Sequence, residues 1–140
     1  MLFRSPRPES QGAKSESRQT LLLAASGRHV REIMASALGA DGYQVLQCSS
    51  ADELTKRVRG ESSRVQAIVI DLGPVPGASA VDEIRRAGCL APVVLIADGE
   101  PTTSDPHTLV LHKPFAVASL CLAVRETITR GTNDQNGATP

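Results

Sequence analysis

The sequence predicts an α/β domain: a five-stranded parallel sheet with helices on both faces. Five short runs of strand length recur along the chain, at residues 20–24, 43–47, 67–71, 92–97 and 109–112, and most are apolar throughout. Helical or turn-rich spacers separate them, so consecutive strands run parallel and right-handed crossovers place helices on both sides. The only aromatics are Phe3, Tyr43 and Phe115. Ala, Val, Leu and Ile must fill the core, as in a small parallel sheet covered on both faces.

The 140 residues suit one domain, and 41% hydrophobic content suits one ordinary core. Residues 1–18 hold Pro6, Pro8 and Gly12 without helical or strand period and are expected to form a disordered tail. The domain then spans 19–130, followed by a polar, disordered tail at 131–140. Thr20 to Ala24 is the first strand, with Ala25-Ser26-Gly27 as its turn. Val30, Ile33, Met34, Ala37 and Leu38 have the spacing of a sheet-facing helical stripe, with Ser26 as its cap and Gly39 or Gly42 at its end. Tyr43 to Gln47 alternates like a half-buried strand. Ser50-Ala-Asp-Glu53 is a capping box opening a second helix, which carries Leu54 and Val58 to about Arg59.

Ala67-Ile-Val-Ile-Asp71 reads as the buried central strand, emptying into a turn-rich loop from Leu72 to Gly77. Asp71 therefore stands at the strand's C-terminal tip, the edge where open α/β sheets collect ligands and chemistry. Ser79 with Asp82 predicts the start of a third helix, with Val81 and Ile84 facing inward and Gly88 at its end. Pro92 to Ala97 is a fourth buried strand. Residues 98–108, with Gly99, Pro101 and Pro106, show no helical period and are expected to be loop. Leu109 to His112 is the fifth strand. Beyond Lys113-Pro114-Phe115, Leu120, Val124 and Ile128 mark the last helix, starting at Ala116 or Val117.

Several function classes are disfavoured. Fifteen basic and fifteen acidic residues cancel, so neither nucleic acid nor an anionic membrane surface is an expected partner. Arg57, Arg59 and Arg64 read as a solvated face. Cys48, Cys89 and Cys121 are odd in number and far apart, against a disulfide framework or a zinc site and in favour of a reducing, cytoplasmic setting. No apolar run approaches the roughly 18 residues of a membrane span, and the N-terminus lacks the apolar middle of a secretion signal. Ser26, His29, His107 and His112 match no catalytic motif, and no phosphate-binding glycine motif occurs. An enzyme is not expected.

Three patterns resemble the receiver domain of bacterial two-component response regulators. They are Ala67-Ile-Val-Ile-Asp71-Leu72 followed by Pro76-Gly77, Leu111-His-Lys113-Pro114-Phe115, and Leu38-Gly-Ala-Asp-Gly42-Tyr43-Gln-Val45. The resemblance covers about residues 20–130. It implies a doubly wound, flavodoxin-like sheet in the order 2-1-3-4-5. It also implies Asp71 as phospho-acceptor, Lys113 as its pocket partner and Lys113-Pro114 as a candidate cis peptide.

The chain departs from the family where the family does its chemistry. The two acids that hold magnesium are matched by Ala25 and Ser26, and the switch hydroxyl and switch aromatic by Ala97 and Val110. Pro76 lies one position further from Asp71 than usual. Asp98 is the one nearby acid that could substitute. Lys113 comes only sixteen positions after Ala97, so the helix between the fourth and fifth strands is expected to be shortened or missing, uncovering apolar sheet edge around residues 93–97 and 109–112. The expectation is a degenerate single-domain receiver: no cofactor, weak or absent magnesium binding, no metal site, and an adaptor role toward a protein partner such as a histidine kinase or another regulator. The alternatives are a receiver phosphorylated on Asp71 by a histidine kinase and, for assembly, a homodimer.

Overall fold

The computed structural model describes residues 18–61, 64–99, 103 and 105–137. The expected N-terminal tail, Arg18 apart, lies outside them. Among the described residues nine elements follow in order: β1 (Thr20–Ala25), α1 (Arg28–Ala40), β2 (Gln44–Cys48), α2 (Ala51–Glu61), β3 (Val65–Asp71), α3 (Pro74–Arg86), β4 (Val93–Ala97), β5 (Thr108–His112) and α4 (Val117–Gly137). The strands form one parallel sheet in the order β2-β1-β3-β4-β5.

Because side chains alternate along a strand, each buried strand feeds two cores. Leu22, Ile68, Ile70, Val93 and Leu95 pack with Leu54 and Val58 of α2 and Val81 and Ile84 of α3. Leu21, Leu23, Val69, Val94 and Ile96 pack with Met34 and Leu38 of α1 and Leu120 and Val124 of α4. β3 is buried from end to end except at Gln66, so its run is apolar without alternation.

Helix starts explain most differences from the sequence expectations. At α2 Ser50 caps the helix as expected: Glu53 N–H donates to Ser50 Oγ at 3.2 Å, while Glu53 Oε1 accepts from the N–H of Ser49, one residue before the cap, at 2.8 Å. At α1 the cap position is Gly27, without a side-chain hydrogen bond, so Ser26 does not cap. The expected stripe also splits. Met34 and Leu38 are buried, whereas Val30 and Ile33 are 45% and 44% exposed, because the first turns lie beside the C-terminal edge where β1 ends.

α3 begins at Pro74, five residues before the predicted Ser79 start, and absorbs much of the predicted loop. Gly73 takes φ +93°, open to glycine, and Pro74 at the first helical position has a preset φ and lacks an N–H that would be orphaned there. Pro76 and Gly77 thus belong to the first turn of a helix. A Cβ on Gly77 would lie 2.8 Å from Leu95 Cδ1, so glycine lets α3 close onto β4. The other end of α3 is as read, with Gly88 at φ +93° just beyond it.

Among the described residues no helix lies between β4 and β5. β4 is nevertheless sealed, its five residues being 0–1% exposed. The expectation of an uncovered β4 is therefore wrong, and only β5 is half-buried along most of its length. α4 runs on through Gly137, past the predicted boundary at 130, since extending a nucleated helix needs only one hydrogen bond per residue fixed.

Candidate functional site

The C-terminal ends of β1, β3, β4 and the segment after β5 meet at one edge of the sheet. Asp71 closes β3, 8% exposed. Its Oδ1 lies 3.0 Å from Lys113 Nζ, and the lysine side chain is 40% exposed. Lys113 is placed by its backbone, whose N–H donates to Ala97 O at 2.9 Å; the Lys113–Pro114 peptide bond that follows is cis. Ala25 pairs in register with Asp71, and Ser26 N–H reaches Asp71 O at 3.4 Å. Ala97, the last residue of β4, is in register with His112. Val110 is in register with Leu95, further from the edge and half-buried. Asp71, Lys113, Ala25, Ser26 and Ala97 are thus brought together, and Val110 stands behind them. Asp98 is exposed.

These residues do not fit a resident magnesium ion. A hard dication seeks several oxygen ligands, with carboxylates supplying the charge, and here one carboxylate is present and already paired. Among the described residues no group of three His, Cys, Asp or Glu side chains could hold a metal. The edge also gains a second cation: Arg31 Nη1 donates to Ala25 O at 2.9 Å, and its Nε to Gln47 Oε1 at 3.3 Å. Lys113 and Arg31 thus bring two positive charges to the edge that holds the Asp71 carboxylate. Sequence reading missed Arg31, which belongs to no motif; only its place one turn into α1, over the end of β1, gives it this role.

A second polar constellation, also missed, lies at the opposite sheet edge. Arg85 Nε and Nη2 each donate to an oxygen of Asp105 at 2.9 Å. Its Nη1 donates to Cys89 O at 3.0 Å and Ala91 O at 2.7 Å, and Nη2 also to His107 O at 3.5 Å. All five guanidinium hydrogens have acceptors. Asp105 in turn accepts from Thr108 Oγ1 at 2.7 Å and His107 N–H at 3.1 Å. The Arg85 hydrogen bond, with help from Thr108, holds the Asp105 carboxyl at about 2 against the opposing effect of burial. This clasp ties the β4–β5 connection to the end of α3.

Other candidates stand apart from chemistry. His29, His107 and His112 are exposed and dispersed. Cys48 and Cys89 are buried and free, and burial pushes the Cys48 thiol up to about 11, away from a reactive thiolate. No helix among the described residues is long and apolar enough to cross a membrane.

No family model and no curated protein matches the chain. Solved structures do. A response regulator receiver protein of Sinorhizobium medicae WSM419 shares 22% identity over 81% of this chain and 96% of its own, with a TM-score of 0.68. The chemotaxis protein CheY4 of Vibrio cholerae gives 15% identity, 79% and 99% coverage and a TM-score of 0.69. A CheY-like receiver domain of Methanospirillum hungatei JF-1 gives 12% identity, 84% and 99% coverage and 0.70. The chain has the receiver fold.

Proposed function

We propose that this chain, built on the receiver fold of two-component signalling, is a degenerate receiver that works as an adaptor by protein–protein contact, without phosphoryl transfer and without magnesium. The observation that carries this reading is the Asp71 carboxylate, paired with Lys113 at 3.0 Å while Ala25 and Ser26 stand where receivers place two acids. Phosphoryl transfer depends chiefly on positioning and on cations that neutralise the transferring oxygens. Lys113 remains for that task, since Arg31 is committed to Ala25 O and Gln47 Oε1.

The partner in this reading is a protein of a signalling pathway, a histidine kinase or another regulator. Val30, Ile33 and Val117, the last 38% exposed, supply apolar surface on α1 and the start of α4 next to the Asp71 edge. A competing reading, phosphorylation of Asp71 by a histidine kinase, draws on the retained Asp71–Lys113 pair. Titration with magnesium and beryllofluoride, followed by amide NMR, separates the two. The adaptor reading expects no shifts at Asp71 and Lys113; saturable shifts centred there would establish the switch instead.

A further inference from the structure

β5 ends the sheet, and among the described residues no strand pairs with its outer edge. The direction of its backbone groups follows from the inner edge. His107 O accepts from Val93 N–H at 2.9 Å, and Lys113 N–H donates to Ala97 O at 2.9 Å, so the odd-numbered residues turn their backbone groups toward β4. Successive residues of a strand alternate, which leaves Thr108, Val110 and His112 with N–H and C=O directed outward.

An open edge is a template for another strand, and proteins usually block it with charge, proline, a bulge or a covering element. Thr108-Leu-Val-Leu-His112 holds no Lys, Arg, Asp, Glu or Pro, and it pairs with β4 in unbroken register. α4 lies against one face of β5, and no described helix follows β4 to cover the other. β2, the strand at the opposite edge, is flanked by both α1 and α2 and has Arg31 bonded to its Gln47 at 3.3 Å.

We propose that β5 pairs antiparallel with β5 of a second copy of this chain, about a two-fold axis at Val110, so that two sheets become one. Self-complementarity identifies the occupant, because a two-fold pairing sets one strand against itself. With Val110 on the axis, it faces its own counterpart, Leu109 faces Leu111, and Thr108 faces His112. Apolar side chains meet apolar ones and polar meet polar, as cross-strand pairs require. The Val110 pair and the Thr108–His112 pairs use the outward-directed groups, so each exchanges two N–H···O bonds as in an antiparallel ladder. Leu109 and Leu111 already pack against the core on the α4 side, and the pairing continues that core across the axis. Zero formal charge leaves the copies without long-range repulsion. A strand this short makes a small interface, and the association is weak and reversible.

Sedimentation of the full chain from low-micromolar to near-millimolar concentration should show a reversible monomer–dimer equilibrium. Over the same series, amide hydrogen exchange should slow more at Thr108, Val110 and His112 than at Leu109 and Leu111, whose N–H groups face β4. Val110→Lys sets like charges opposite each other on the axis and should weaken the dimer by about tenfold or more. Leu90→Ser, at an apolar side chain 73% exposed ahead of β4, should leave the dimer intact. A strict monomer at every concentration would overturn the proposal, as would a dimer that survives Val110→Lys or is lost with Leu90→Ser. The exchange pattern is read on the unaltered chain, so it decides the matter even if Val110→Lys fails to fold; protection without the alternation would overturn the proposal too.

Discussion

Replacing Asp105 by Asn should destabilise the domain by about 2 kcal/mol at neutral pH, and the loss should fade in acid. Both side chains of the pair are largely buried, 15% exposed for Arg85 and 13% for Asp105, so solvent screens the interaction little. The carboxyl falls from its ordinary 3.8 to about 2; at 1.36 kcal/mol per pH unit this is about 2.4 kcal/mol in favour of the folded, charged form. The sign follows from proton counting. Between those values the unfolded chain binds more protons than the folded one. The contribution is therefore complete above pH 3.8 and disappears as pH falls toward 2. Arg85→Met should cost more, about 3–5 kcal/mol, because it strands the buried carboxylate and leaves the Cys89 and Ala91 carbonyls without their donor. Against a typical total of 5–15 kcal/mol such losses are large. Urea unfolding of wild type and both variants at pH 7 and at pH 2.5 measures them. A change below 0.5 kcal/mol for Asp105→Asn at pH 7, or a difference as large at pH 2.5 as at pH 7, would refute the idea that this clasp holds the β4–β5 connection in place of a helix.

Two further outcomes are expected. Along α1, Leu38→Ala should cost about 2–5 kcal/mol, as a buried truncation does, whereas Ile33→Ser, on a side chain 44% exposed, should stay within about 0.5 kcal/mol; equal losses in urea unfolding would show that the stripe is buried throughout. The double substitution Ala25→Asp with Ser26→Asp should create magnesium binding detectable by calorimetry, because it places two carboxylates beside Asp71, and a flat trace would show that the acids alone do not suffice to make a metal site.

β1, β3 and β4 were legible because burial on both faces turns them into continuous apolar runs, and Asp71 was legible because such a run ends on it. Lys113 and the cis peptide bond entered through resemblance, since nothing in local spacing brings residue 113 to residue 71. The start of α3 was misread for a local reason: Gly-Pro-Val-Pro-Gly has turn composition, yet Gly73 at positive φ followed by Pro74 at the first helical position is also a helix start. The exposure of Val30 and Ile33 was hidden because periodicity shows which side of a helix is apolar but not where the covering sheet stops. Arg85 and Asp105 are twenty residues apart, and Arg31 and Gln47 are sixteen apart, so neither pairing leaves a mark on local sequence. The clasp also explains how a chain can lack a described helix between β4 and β5 and still bury β4 fully: a satisfied polar network fastens the connection where helix packing would otherwise do so.

In the proposed reading Asp71 is an ion-pair partner and not a phospho-acceptor. Intact-mass measurement of the purified protein after incubation with acetyl phosphate and magnesium tests it most directly. The unmodified mass should persist. Addition of one phosphoryl group that is lost in Asp71→Asn would contradict the account.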